Sequence, residues 1–329
     1  MSTKRKMAKI GTHDGSFHCD EALGCFLLKQ TKEFRDAEIV RSRDPEILKD
    51  LNVVIDVGGV YDPETQRYDH HQRGFTEEFG HGFVTKLSSA GLVYKHYGRE
   101  IVASQLGLKE DDPMLETVYL RVYKSFMEAI DGIDNGIQQY DTEQPARYQN
   151  HTGLSARVGS LNPNWNEEYN ATVLMTQFLK AVELSGSEFT ESVNYIGKVW
   201  LPARTHVKEA LDKRFENDPS GKIIKLETFC PWKEHLFLLE EELDIVGNTL
   251  FCLYEDDKKN WRIQTIPVTT SSFESRKFLP STWRGMRDDE LSNESGIPGG
   301  IFVHMSGFIG GNKTFEGALA MAKKGLELS

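Results

Sequence analysis

The chain has 329 residues, enough for two domains, and its 39% hydrophobic content can fill sizeable cores. Fifty acidic residues against 39 basic ones leave a net charge of −11. That balance argues against indiscriminate nucleic-acid binding, which needs positive charge, and no apolar run approaches the roughly 18–20 residues that span a bilayer. Cys19, Cys25, Cys230 and Cys252 lie in apolar or strand-like contexts without CxxC spacing, as expected of reduced thiols in an intracellular protein. The short basic start, Lys4, Arg5, Lys6 and Lys9, lacks the apolar core of a secretory signal and reads as a solvated tail.

Met7–Gly11 reads as a buried strand, followed by a helix over Cys19–Lys29 with Ala22, Leu23, Phe26 and Leu27 on one face. A second strand is expected at Ala37–Arg41, then a short helix capped by Asp44 with Pro45 in its first position. The nearly all-apolar Asn52–Asp56 has the character of a buried parallel strand. This β-α-β-α-β rhythm predicts a parallel sheet with right-handed crossovers.

Gly58–Tyr68 reads as a turn and hairpin, and Gly74–Phe83 as a glycine-rich aromatic loop. Ser88-Ser89 is expected to cap a helix over Ala90–His96. From Pro113, apolar residues at three- and four-residue steps through Ile133 mark a long amphipathic helix that stops at Asn135-Gly136. A polar loop spans Arg157–Asn166, and a helical stretch runs on to Ala210 with breaks expected at Gly186 and Pro202. Asn217-Asp218-Pro219-Ser220-Gly221 is the best boundary signal. Strands are expected at Lys222–Leu226, Thr249–Tyr254 and Trp261–Pro267, with a final helix over Thr314–Leu328. We therefore expect a larger α/β domain over 1–185, a helical linker over 186–218 and a smaller α/β domain over 219–329.

Three separated segments concentrate histidine and aspartate: His13-Asp14-Gly15-Ser16-Phe17-His18-Cys19-Asp20, Val53–Gly59 with Asp56, and Tyr68-Asp69-His70-His71-Gln72. Imidazoles and carboxylates are hard-to-borderline metal ligands, and each segment ends a predicted strand, where open α/β sheets bind ligands. A pair of divalent cations about 3.5–4 Å apart needs a bridging carboxylate and terminal ligands on each side. Asp56, at the end of a rigid strand, suits the bridge, while His13, His18 and Asp20 suit terminal positions. His18 or Asp20 is alternatively placed to cap the helix over Cys19–Lys29, and Asp14 to shape the turn with Gly15. Asp131 and Asp134, spaced i,i+3, share a helix face, and either is a candidate for the last carboxylate. Asp69-His70-His71 gains nothing by packing, which favours chemistry there.

His18-Cys19-Asp20, Asp56 and Asp69-His70-His71 together resemble the DHH phosphoesterase superfamily. The strings Gly11–Leu23, Lys86–Tyr94, Ile130–Gly136 and Phe302–Gly311 resemble its eukaryotic MYG exonuclease branch. The resemblance implies a 3′-to-5′ RNA exonuclease of nucleus and mitochondrion that acts on single-stranded RNA or oligonucleotides. It implies two Mn²⁺ or Mg²⁺ ions, Asp56 as bridge, His70 as ligand or phosphate contact, His71 facing substrate and Asp69 orienting an imidazole. Where the superfamily carries paired aspartates in the first loop, this chain has His18-Cys19-Asp20, a change that shifts preference towards Mn²⁺. Of the two helix-end carboxylates, Asp134 is favoured, one turn beyond Ile130 at the helix stop.

Gly299-Gly300, His304 and Gly310-Gly311 resemble the glycine-histidine motif of the accompanying substrate domain, with Lys313 leading into a helix N-terminus that favours phosphate. Arg276 and Arg284, with Lys277, Arg287, Phe278 and Trp283, form a basic-aromatic stretch suited to single-stranded RNA. Two other readings stand: a phosphoesterase for pyrophosphate or short oligonucleotides, and a metal-stabilised binding protein without turnover.

Overall fold

A computed structural model describes residues 7–328, so the basic start at Lys4–Lys6 lies outside the described residues. The chain is α/β and divides into two compact units between Gly197 and Lys198. No helix among the described residues is long and apolar enough to cross a membrane.

In the first unit, β1 (Lys9–Thr12), α1 (Cys19–Lys29), β2 (Glu38–Arg41), α2 (Pro45–Leu48) and β3 (Val53–Ile55) follow the expected alternation. The hairpin β4 (Tyr61–Asp62) and β5 (Arg67–Tyr68) completes a sheet of order β2-β1-β3-β5-β4. Strand β1 runs parallel to β2 and β3, and β3 parallel to β5. Val53, Val54 and Ile55 are all buried, which is why this strand lacks a polar face.

The glycine-rich stretch after β5 is not wholly loop: β6 (Glu78–Gly80) and β7 (Phe83–Lys86) pair as a second hairpin. Tertiary packing holds it, because Phe79 stacks on Tyr123 at 3.6 Å with the rings 2° from parallel. Helix α3 (Ser89–Leu106) runs ten residues past the expected end at His96 and stops at Gly107, whose φ of 69° suits a glycine cap. Helices α4 (Pro113–Val122) and α5 (Glu128–Asp134) form the long amphipathic stripe, joined by a π-turn at Tyr123–Met127. Helix α6 (Leu154–Gly159) precedes α7 (Ala171–Tyr195), and a further π-turn spans Ile196–Trp200. Helices α3 and α7 both pack on α1.

Gly186 does not break α7. A Cβ there would sit 2.1 Å from the ring of Phe26 in α1, so the glycine serves close helix–helix approach. Pro202 likewise causes no break: the backbone stays helical from the π-turn into α8 (Leu201–Asp212), and that local widening just before the proline is where a lost N–H is accommodated.

The second unit continues with α9 (Arg214–Asn217), β8 (Ile223–Lys225), α10 (Lys233–Glu242), β9 (Phe251–Glu255) and β10 (Trp261–Thr265). It ends with α11 (Asp288–Ser295), β11 (Gly300–Val303), β12 (Ile309–Asn312) and α12 (Phe315–Glu327). Its sheet order is β11-β12-β10-β9-β8, with β8 parallel to β9 and the other pairs antiparallel. Alternation along β9 sends Phe251 and Leu253 to one core and Cys252 and Tyr254 to the other.

Replacing Gly186 by Val is expected to destabilise the protein by about 1–3 kcal/mol through overpacking against Phe26. A urea unfolding curve checks this; a midpoint equal to the parent's would refute the close contact of α1 with α7.

Candidate metal centre

Strands β1, β3 and β5 lie side by side, and neighbouring strands are about 4.8 Å apart. Residues that follow their C-terminal ends therefore converge. His13 follows β1, Asp56 follows β3, and Asp69, His70 and His71 follow β5. Helix α1 begins at the same edge: His18 is its N-cap, and its backbone N–H donates to the Glu21 carboxylate at 2.9 Å. Asp20 thus lies inside the first turn rather than capping it. Asp134, at the end of α5, closes the ring of ligands.

Asp56 adopts a left-handed backbone with φ of 57°, uncommon for a residue with a side chain. Its buried carboxylate lies 3.4 Å from His13 Nε2, 3.5 Å from His70 Nε2 and 3.3 Å from His71 Nδ1, and it accepts from the Ser89 hydroxyl at 3.1 Å. His13 also meets Glu21 at 3.0 Å, and His70 meets Asp134 at 3.1 Å. Asp69 accepts from the Gly59 N–H at 2.6 Å and faces His71 Nδ1 at 2.9 Å, and among the described residues no polar group pairs with His71 Nε2. The His71 side chain is 63% exposed, the most open imidazole of these contacts.

Burial alone would raise the Asp56 pKa, but the three imidazoles hold its carboxyl well below the usual range. Burial works against protonation of His13 too, yet Asp56 and Glu21 carry it up to about 10. His70 rises to about 9 against its own burial because Asp134 and Asp56 face it. For Asp20, burial and then the charges of Asp56, Asp134 and Glu21 push the carboxyl well above its ordinary value. Both Asp20 oxygens are buried, and no N–H or hydroxyl among the described residues donates to them. A native fold rarely leaves a carboxylate so uncompensated, and a cation is the partner this donor set fits. Ligand atoms within 4.8 Å of one another form overlapping trios among the described residues: His13, His18, Glu21; Asp56, His70, His71; Asp20, His70, Asp134; and Asp20, Glu21, Asp56.

The cluster floors a cavity of about 850 Å³, walled by Arg43, Gly58, Gly59, Ile133 and Ser155–Ala156. The first loop is pinned by Asn162, which exchanges two hydrogen bonds with the backbone of Phe17.

Asp131 points elsewhere. It is fully buried and accepts from the Ser88 N–H and hydroxyl and from the Tyr123 hydroxyl. Burial moves its pKa up to about 7 despite these donors. Glu21 was not among the residues singled out by sequence. Its signals are the three-residue spacing from His18 and an acidic side chain in an otherwise apolar helical run. Ser89 and Asn135, which faces His70 Nδ1 at 3.3 Å, have no comparable signal.

In the second unit the suspected substrate residues do not converge. Gly299, Gly300 and Lys313 lie at the open end of the β11–β12 hairpin, while His304 lies at its turn. Arg284 rests against that turn, its Nε 2.6 Å from where a Gly307 Cβ would sit, and donates to the Leu279 carbonyl. Gly310 and Gly311 sit inside β12, where Cβ atoms would press on Leu279 and Arg262. Arg276 makes a two-pronged ion pair with buried Glu240, at 2.9 and 2.7 Å, and donates to the Thr249 carbonyl.

Residues 9–326 match the MYG1 exonuclease family model, described as an uncharacterised protein family (UPF0160). The chain belongs to this family. It is 52% identical to the MYG1 exonuclease of Bos taurus over 96% of this chain and 84% of that one. It is 51% identical to the Homo sapiens MYG1 exonuclease over 96% and 85% of the two chains. A MYG1 protein of Caenorhabditis elegans is 52% identical over 97% and 95%. No solved structure matches.

Replacing Asp20 by Asn is expected to stabilise chelator-treated protein at neutral pH. With its pKa raised in the fold, the folded chain keeps a proton that the unfolded chain releases. That contribution is full below about pH 4 and is lost as pH rises. Thermal midpoints across pH check this: the gain from Asn grows with pH, to about several degrees, and added Mn²⁺ stabilises the variant less than the parent. A variant less stable at neutral pH would refute an uncompensated carboxylate.

Proposed function

We propose that the chain is a metal-dependent phosphodiesterase, a 3′-to-5′ exonuclease acting on single-stranded RNA. The observation that carries this reading is the orphaned Asp20 carboxylate inside a ring of imidazoles and carboxylates beneath an open cavity. The exonuclease names of close relatives support hydrolysis of nucleic acid. RNA as substrate and the 3′ polarity rest on the resemblance of the motifs.

His13, His18, Asp20, Glu21, Asp56, His70 and Asp134 would hold two divalent ions, with Asp56 between them. The imidazole content favours Mn²⁺ over Mg²⁺. Such ions supply charge neutralisation at the scissile phosphate and a more acidic water. Asp69 fixes the His71 ring through Nδ1 and presents Nε2 to the cavity, where it holds a proton for the leaving oxygen or a phosphate oxygen. The second unit would read the substrate around Arg284 and His304. A phosphoesterase for small substrates is the second reading, favoured by the net charge of −11.

Purified protein with Mn²⁺ or Mg²⁺ is expected to shorten a 5′-labelled single-stranded RNA from its 3′ end, in a ladder that Asp56→Ala abolishes. RNA left intact with both metals moves the assignment to small phosphoesters. His71→Ala is expected to lower kcat by about 10²–10⁴ while leaving metal content unchanged. Asp134→Asn should weaken Mn²⁺ binding in calorimetry at least about tenfold, whereas Asp131→Asn should not. The opposite ranking would exchange their roles.

A further inference from the structure

A second hollow, of about 520 Å³, lies beside the metal centre in the first unit, lined by Asp14, Gly15, Arg41, Tyr169, Leu174 and Met175, among others. The two cavities share one loop. His13 and His18 line the first, while Asp14 and Gly15, between them in sequence, line the second.

The chemistry of its wall is selective. Tyr169 is 59% exposed, an aromatic ring left out of the core beside the buried Leu174 and half-buried Met175. Arg41 is held rigidly: its Nε donates to the His13 carbonyl, its Nη2 to the Gly15 carbonyl, and its guanidinium lies 4.5 Å from the Phe178 ring. Among the described residues, no hydrogen-bond acceptor meets its Nη1. An aromatic face, an apolar floor and one fixed donor fit a flat ring with acceptors on its edge, which describes a nucleobase. A second observation points the same way. The run of chain 137–170 supplies Ser155, Ala156 and Gly159 to the wall of the metal cavity and also exposes Tyr140, Tyr148 and Trp165. Exposed rings concentrated on a segment that borders a phosphodiester site are the stacking surfaces a single strand uses.

We infer that this hollow is a nucleobase subsite, in which Tyr169 stacks on the unpaired base of the nucleotide adjoining the scissile phosphate and Arg41 Nη1 donates to its edge. The inference rests on the proposed nuclease function. It makes Tyr169 a substrate-binding residue and explains how an acidic chain could hold RNA with few cationic contacts.

The test compares two 5′-labelled RNA oligonucleotides, one complete and one abasic at the 3′-terminal nucleotide, with the parent, Tyr169→Ala and Tyr169→Phe. The parent should prefer the complete strand by about tenfold in kcat/KM, mostly through KM. Tyr169→Ala should bring that ratio close to one, and Tyr169→Phe should restore it. No base preference in the parent, or a preference unchanged in Tyr169→Ala, overturns the subsite while the nuclease function stands. Failure of the parent to cleave either RNA overturns the nuclease function and the subsite with it.

Discussion

The first unit is organised around a single carboxylate. Asp56 sits where three imidazoles point, one just past the end of β1 and two just past the end of β5. This follows from the order β1-β3-β5, with Asp56 on the central strand. A different strand order would carry the same residues away from one another. The left-handed φ of Asp56 turns its side chain over the strand ends, and the Ser89 hydroxyl and Tyr68 carbonyl hold side chain and backbone in place.

Around this point the fold accepts interactions that a purely structural protein would avoid. Asp20, Glu21, Asp56 and Asp134 crowd together under low solvent exposure, and among the described residues no N–H or hydroxyl donates to Asp20, whose nearest company is other carboxylates. Packing behind the cluster supplies the stability that tolerates this. Asp131 ties the start of α3 to the π-turn through Ser88 and Tyr123, and Phe79 stacks on the same Tyr123. The two aspartates of α5 therefore divide their work: Asp131 faces inward and joins elements, while Asp134 faces the cavity.

The glycines of the second unit have a related explanation. Gly310 and Gly311 lie in a strand where a Cβ would press on Leu279 and on the Arg262 guanidinium, so packing favours glycine at both. Arg276 satisfies Glu240, which also accepts from the backbone of Thr249, and this buried network joins α10 to the loop before β9. The groups left facing solvent at the hairpin turn are His304 and its neighbours.

The sequence by itself determined the alternation of strands and helices in the first unit, the apolar character of β3 and the ligand-type residues of the three loops. Each is a local property, set by periodicity, capping and residue chemistry over a few positions. Tertiary structure decided the rest. The length of α3, the β6–β7 hairpin and the continuity of α7 through Gly186 depend on distant partners such as Tyr123 and Phe26. The same holds for Glu21, legible as a capping residue but not as a neighbour of Asp56. Asp131 and Asp134 look equivalent at i,i+3. Only the packing of α5 against Ser88 and Tyr123 separates them, because burial and donor placement are properties of the assembled core.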